Sequence, residues 1–340
     1  MKNIKILDVL KKINIKVYIT SFLVIFILLF TFLFTSSKYF KEEVVLTINE
    51  NESCLSIAQK LKDKELINNK YLFLLYSFIT FSYDDLKPGE FKFIGGVNTK
   101  SILRTIKEYN GIKVVIKEGY TIYQVQAELA EKQVLFPTDS ITKYRIKDFQ
   151  DKFEFLQDLP KNNNLEGFLF PETYYFLKNT NSYDIAYRML LEFETKLYNQ
   201  YANKESFYSD LILASILEKE IPNNYEKQLA ADVLRKRIKK DMPLQVDCTL
   251  CYIKQVMANK YVDCYPIYKT DKEIDSVYNT YINKDLPGGP ISNPSVESYV
   301  AALKPLANTY YYFISDPQTR KTIFSRTLEG HIQNIKTFLR

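Results

Sequence analysis

The sequence predicts an α+β protein with a single N-terminal transmembrane helix, a small α/β subdomain and a larger mixed α+β subdomain. Three observations support this class. Residues 17–37 carry no charge, residues 42–140 twice place a β-branched run before a capped helical pattern, and residues 165–340 alternate amphipathic helices with loops rich in Gly, Pro and Tyr. The chain has 340 residues, 46% of them hydrophobic, which is enough to build real cores.

The uncharged run at residues 17–37 predicts a membrane anchor. At about 1.5 Å per residue its 21 residues match a bilayer core of about 30 Å. Residues 1–16 hold five lysines against one aspartate, which places them in the cytoplasm. A cleaved signal peptide is the alternative, but the run is long for one, and the residues after it make a poor cleavage site. We therefore expect a single-pass protein of the cytoplasmic (inner) membrane, with about 300 residues outside.

Charge and cysteine content exclude several classes of function. The net charge is +6, and residues 1–37 account for +4 of it, so a nucleic-acid-binding surface is not indicated. Four cysteines do not make a disulfide framework, although a Cys248–Cys251 or a Cys251–Cys264 bridge outside the membrane is open. His331 is the only histidine and Cys248 and Cys251 lack a second ligand pair, so we expect no metal and no cofactor.

Residues 42–140 contain a repeat with an offset of 68 residues. Each copy reads as a strand, a turn and a capped helix, with Ser53 and Thr121 as the caps. Two such units usually pair their strands and cover them with helices. The units resemble LysM-type modules, which implies binding to the glycan strands of cell-wall polymers. The alternative is an α+β spacer that holds the catalytic part away from the membrane.

The stretch from Asp210 to Pro222 predicts the central helix of the C-terminal subdomain. Residues 211–220 contain no helix breaker, and the proline ends the pattern. Helical spacing puts Glu218 on the same face as Leu211 and Ala214. A carboxylate among aliphatic groups should have a raised pKa, as a general acid requires, whereas a surface ion pair is the plainer interpretation.

The loops on either side of this helix carry candidate substrate-binding groups. Amides and phenols suit sugar hydroxyls and N-acetyl groups, because they both donate and accept hydrogen bonds. The candidates are Gln245, Asp247, Tyr278, Asn279 and Tyr281, together with Glu220 and the acids Glu166 and Glu172 of an ordered loop. The helix at residues 225–240 ends in a basic run, including Arg235 and Arg237, that should face solvent.

Five ordered motifs make the chain similar to the YceG-like endolytic murein transglycosylases. They are Ala214 to Glu220, Leu244 to Asp247, Tyr278 to Tyr281, Leu286 to Pro294, and Phe324 with His331, and the loop from Leu165 to Tyr174 matches as well. The resemblance implies that the first Glu of the Glu-Lys-Glu motif, Glu218, is the catalytic acid/base. Cys248 stands where the family more often has proline, which loosens that turn without removing a proposed catalytic group.

The resemblance implies cleavage of the β-1,4 bond between N-acetylmuramic acid and N-acetylglucosamine inside glycan strands, with 1,6-anhydro ends as products and termination of nascent strands as the outcome. One carboxyl group acts first as the general acid and then as the general base. A second carboxylate is not needed, because the nucleophile is the 6-hydroxyl group of the sugar itself. Two alternatives are a hydrolase, with Asp247 or Glu220 as a second carboxylate, and a non-catalytic wall-binding scaffold. Peptidoglycan synthases are the implied protein partners.

Overall fold

A computed structural model describes residues 20–22, 24, 34, 37–316 and 318–339. It confirms the mixed α+β class and divides the chain into two compact units, with the boundary between Gly111 and Ile112. The predicted membrane span at residues 17–37 lies almost wholly outside the described residues. Within the described residues, no helix combines the length and the apolar character needed to cross a bilayer.

The N-terminal unit is a two-stranded antiparallel sheet covered by helices. Its elements are β1 (Lys38–Ile48), α1 (Cys54–Asp63), α2 (Lys70–Ile79), β2 (Gly89–Val97) and α3 (Thr99–Lys107). Strands β1 and β2 pair with Leu46 opposite Phe91, and both side chains are buried. Alternate residues of a strand point to one face, so these residues form a core with the apolar faces of α1 and α3.

The two repeated segments adopt the same local structure but belong to different units. Ser53 caps α1, and Thr121 caps α4 (Ile122–Glu131) in a capping box with Gln124. The expected pairing of the repeated strands is wrong, however. Strand β1 pairs with β2, whereas β3 (Ile112–Val115) pairs with β4 (Thr173–Phe176). Each strand pairs with a strand of its own unit. In the second pair Val114 lies opposite Tyr174, and both side chains belong to the C-terminal core.

The C-terminal unit is built from helices with two small sheets. After β4 come α5 (Ser182–Phe193), α6 (Phe207–Glu220), α7 (Asn224–Lys239), α8 (Asp247–Ala258), α9 (Val296–Leu303), the hairpin β5 (Tyr312–Ser315) and β6 (Thr322–Ser325), and α10 (Leu328–Phe338). A π-helical turn at Glu194–Tyr198 extends α5, and short 3-10 turns occupy residues 141–156. Helix α9 packs against both α6 and α7.

Helix α6 is the centre of this unit. All residues from Leu211 to Leu217 are buried, so the helix has no polar face until Glu218, its third residue from the end. A helix that is apolar all round belongs in the interior, and the single apolar stripe expected from the sequence understates its burial. The last turn of α6 therefore delivers Glu218, Lys219 and Glu220 to the edge of a rigid core.

Asn293 joins the loops that surround α6. Its buried side-chain oxygen accepts hydrogen bonds from the amides of Gly167 and Leu169, and its side-chain nitrogen donates to the carbonyl oxygen of Tyr120. Gly167 has φ +91° and lies so close to Pro290 that a Cβ there would stand 2.5 Å from the ring. Only glycine meets both conditions without strain. The loops after β3, before β4 and before α9 are thus fixed to one another.

Candidate active site

Glu218 is held by four donors from neighbouring helices. Its Oε2 accepts hydrogen bonds from the backbone amide of Ser295 at 2.9 Å, from Ser295 Oγ at 2.5 Å and from Ser298 Oγ at 2.6 Å. Its Oε1 lies 3.3 Å from Nζ of Lys227, whose side chain is 5% exposed. Ser295 is the N-cap of α9, so the carboxylate also lies at the positive end of that helix.

These donors give Glu218 the opposite property from the one predicted. Burial raises its pKa, but the hydrogen bonds from Ser295 and Ser298 and the charge of Lys227 outweigh burial, and the pKa is lowered overall. The prediction of a raised pKa is wrong because the apolar face of α6 meets the N-terminus of α9, not a purely aliphatic wall. Glu218 is therefore ionised near neutral pH, with three protein donors on Oε2 and the Lys227 ammonium group 3.3 Å from Oε1.

Glu220, two residues further on, has the raised pKa. It is partly buried, and its Oε1 accepts a hydrogen bond of 3.3 Å from the backbone amide of Cys248, in the first turn of α8. Burial raises its pKa, and the nearby charge of Asp247 raises it further, against hydrogen bonds from Cys248 and the charge of Lys219. A carboxyl group in this state holds its proton at a higher pH than an ordinary Glu.

Asp247 and Tyr281 form a polar pair next to Glu220. The Tyr281 hydroxyl donates to Asp247 Oδ1 at 2.5 Å. Burial and then the Asp247 charge raise the pKa of Tyr281. Tyr265 is 65% exposed, and burial of its hydroxyl followed by the charges of Glu220, Cys248 and Asp247 raises its pKa to about 12. Both phenols therefore remain hydrogen-bond donors over the physiological pH range.

Gln245 is positioned by Arg237, which the sequence placed in solvent. Arg237 is 7% exposed, and its guanidinium donates to the carbonyl oxygen of Pro243 and, at 3.1 Å, to Gln245 Oε1. Gln245 has φ +54°, and its amide donates to the carbonyl oxygen of Thr280 at 2.9 Å. The basic run of α7 is consequently not a uniform solvated face, because one of its arginines orients a candidate substrate ligand.

Asn279 does not have the geometry of a sugar ligand. It is fully buried, its side-chain nitrogen donates to the carbonyl oxygens of Lys272 and Ile274, and its side-chain oxygen accepts from the amide of Tyr281. The side-chain amide of Asn279 therefore makes its hydrogen bonds within the loop that positions Tyr281. Tyr278 is half-buried, with its ring 4.9 Å from that of Tyr252.

The two acids of the loop before β4 have separate environments. Glu166 is 1% exposed and accepts from the amide of Ile122, at 3.0 and 3.1 Å to its two oxygens, and from the side chain of Asn293. Burial raises its pKa to about 8. Glu172 is paired with Lys196 at 2.5 Å. These contacts fix α4 and β4 in place, and neither involves Glu220.

A cavity of about 270 Å³ lies next to the side chains that surround Glu220. Its walls include Lys219, Cys248 and Tyr265, which border Glu220, and also Tyr252 and Gln255. A Cys251–Cys264 disulfide ties α8 to the segment that carries Tyr265, the second of the two bridges that the sequence left open. Sequence reasoning missed Lys219, Cys248 and Tyr265 as parts of the site. Their closeness in sequence to the motif acids Glu220 and Asp247 was a signal for the first two.

Comparisons with known proteins identify the family to which the chain belongs. The sequence profile described as the YceG-like family matches residues 46–337. The chain is 30% identical to the endolytic murein transglycosylase of Bacillus subtilis, with 86% of this chain and 83% of that protein aligned. It is 24% identical to the protein of the same name from Streptococcus pneumoniae, where the alignment spans 87% of this chain and 58% of the relative. The crystal structure of a yceG-like protein of Listeria monocytogenes superposes with a TM-score of 0.52 at 30% identity, covering 86% of this chain and 99% of that one.

Proposed function

The chain belongs to the YceG-like family, and from that premise we propose that it is an endolytic murein transglycosylase that cleaves peptidoglycan. The observation that carries the mechanism is the environment of Glu220. Its carboxyl group has a raised pKa and accepts a hydrogen bond from the amide of Cys248, a residue that lines the 270 Å³ cavity, and the hydrogen-bonded pair of Asp247 and Tyr281 lies nearby. That environment suits a group that must first give a proton and then take one.

In the proposed reaction, protonated Glu220 donates its proton to the glycosidic oxygen while the bond from that oxygen to the anomeric carbon of N-acetylmuramic acid breaks. The 6-hydroxyl oxygen of the same sugar bonds to the anomeric carbon, and its proton passes to the Glu220 carboxylate. The proton count closes without water, and the products are a 1,6-anhydro end and a free 4-hydroxyl group. The negative charge of Asp247 stabilises the positive charge that develops on the sugar ring.

This mechanism moves the proton donor from Glu218 to Glu220. Glu218 is ionised and its oxygens are occupied by Ser295, Ser298 and Lys227, so it has no proton to donate. In the proposal, Glu218 instead joins α6 to the N-terminus of α9. Gln245, held by Arg237, and the hydroxyls of Tyr281 and Tyr265 bind the sugar.

The matched variants Glu220→Gln and Glu218→Gln test the assignment. Both keep the side-chain volume and remove one carboxylate from the same turn of α6. With purified peptidoglycan and the full-length protein, we expect Glu220→Gln to lower the formation of 1,6-anhydro ends by at least about 10³-fold while its thermal unfolding stays cooperative. Activity retained in Glu220→Gln, with Glu218→Gln folded but inactive, would return the role to Glu218. Mass spectrometry of the ends also tests the reaction, since reducing ends would indicate a hydrolase that uses Asp247 with Glu220.

We further propose that residues 17–37 remain in the mature protein as a single membrane anchor with the catalytic unit outside the cell membrane. The uncharged run and the lysines before it support this. We expect added protease to spare the C-terminal unit in intact cells and to digest it once the outer face of the cytoplasmic membrane has been exposed. Binding of glycan by the segment at residues 42–140 and contact with peptidoglycan synthases stay predictions of the family resemblance.

A further inference from the structure

A second cavity, of about 560 Å³, lies on the other side of the N-terminal half of α4. Its volume falls in the range of small-molecule and peptide-binding pockets. The side chains that give it its character are Tyr123, Gln126, Lys143, Arg145, Lys260 and Tyr261. The mechanism above uses none of them.

The charge of this cavity is positive. Its walls contain three cationic side chains and no carboxylate among the described residues. Arg145 is held in place by two hydrogen bonds of 2.9 Å from Nη1 to the carbonyl oxygens of Thr142 and Tyr144. Lys143 pairs with Asp139, which does not line the cavity, at 2.7 Å, and Lys260 is exposed. A fixed guanidinium with ammonium groups beside it is suited to carboxylates.

The two cavities are neighbours that share structural elements. Tyr261 lines both of them. Helix α4 gives Thr121 and Gln124 to the smaller cavity and Tyr123 and Gln126 to the larger one. The ring of Tyr123 lies 6.5 Å from the ring of Tyr252, which lines the smaller cavity. Tyr261 lies in the segment between Cys251 and Cys264, and the disulfide joins the two ends of that segment.

We propose that the 560 Å³ cavity is a subsite for the acidic peptide stem of the glycan strand. The inference rests on the proposed function. Stem peptides branch from the muramic acid residues and carry free carboxylates, so a sugar bound at the smaller cavity brings an anionic chain close to the larger cavity, which shares Tyr261 with it. Lys260, Lys143 and Arg145 bind those carboxylates, and the enzyme thereby favours strands that still bear peptides over bare glycan.

The test uses the full-length protein and two substrates made from one peptidoglycan preparation. Attached phosphate polymers are removed first, because their negative charge would also bind a cationic cavity. One keeps its stem peptides, and the other is stripped of them by an amidase. Lys260→Glu reverses a charge in the cavity, and Lys239→Glu reverses an exposed charge on α7 as the control. We expect Lys260→Glu to lower kcat/KM about fivefold on peptide-bearing strands, through KM, with no change on stripped strands, and Lys239→Glu to change neither. An equal effect of Lys260→Glu on both substrates, or none on either, overturns the proposal.

Binding without turnover separates this inference from the proposed function. Equilibrium binding of the Glu220→Gln protein to both substrates should show the same discrimination, and adding Lys260→Glu should remove it. If the wild-type protein forms no anhydro ends and this discrimination remains, the proposed reaction fails and the subsite stands. If anhydro ends form and the two substrates bind alike, the reaction stands and the subsite is wrong.

Discussion

Glu218 and Glu220 lie two residues apart at the end of one helix, and their surroundings give them opposite chemistry. Glu218 meets the N-terminus of α9 and a buried lysine, which together lower its pKa. Burial and the charge of Asp247 raise the pKa of Glu220, and the hydrogen bonds from the amide and thiol of Cys248 do not offset them. Both are partly buried, so burial alone does not decide which carboxyl group holds a proton. The number of donors and the sign of the nearest charge decide it.

Removal of the Glu218 charge should have the largest effect on stability. In Glu218→Gln the ammonium group of Lys227 stays buried without its partner, which should cost about 3–5 kcal/mol of unfolding free energy. Urea unfolding measures this cost. The folded fraction should still form anhydro ends, because the altered group is not the proton donor.

The pH dependence of that loss has a definite sign. Since the pKa of Glu218 is lowered in the folded protein, its stabilisation is present above its unfolded value of 4.5 and is lost as the pH falls toward the folded value. The difference between wild type and Glu218→Gln should therefore shrink in acid. The double variant Glu218→Gln with Lys227→Met should recover stability, and a failure to recover would mean that the ion pair is not the cause.

Asp247→Asn tests the surroundings of Glu220. It removes the negative charge that raises the pKa of Glu220 and that stabilises the developing sugar cation. We expect kcat/KM to fall about 100-fold and the basic limb of the pH–rate profile to move to lower pH, because Glu220 then loses its proton earlier. Tyr281→Phe is the control for the position of the basic limb and not for the rate, since it removes a sugar-binding hydroxyl and its hydrogen bond to Asp247 but keeps the Asp247 charge. A lower rate with an unmoved basic limb would show that Asp247 does not act on Glu220.

The sequence was sufficient where the information is local. The caps at Ser53 and Thr121 and the end of α6 before Pro222 follow from neighbouring residues, and the structure confirms them. The motifs also placed Asp247 and Tyr281 near the end of α6.

What failed depends on contacts between distant residues. Helical spacing assigned Glu218 to an apolar face, but nothing in that spacing shows that Ser295 and Ser298 lie against it, some eighty positions later. Asn279 has the chemistry of a sugar ligand, and only the fold shows that backbone carbonyls occupy its amide. The repeat likewise fixed two similar local structures and not the strands with which they pair. Residue type limits what a side chain can do, and tertiary neighbours decide which possibility is realised.

The smallest expected effect comes from Cys248, the position where the resemblance leads one to expect proline. The Cys248 amide donates to Glu220, and the hydrogen bonds from this residue lower the pKa of Glu220 against the effects of burial and Asp247. Proline has no amide hydrogen or thiol and is tolerated in the first turn of a helix. Cys248→Pro should therefore raise the pKa of Glu220, move the basic limb of the pH–rate profile to higher pH, and change the rate at neutral pH by no more than about fivefold. Cys248→Ala, which keeps the amide and loses only the thiol, should shift the limb in the same direction by less. A shift toward lower pH in Cys248→Pro would mean that Glu220 is not the group whose protonation limits the reaction.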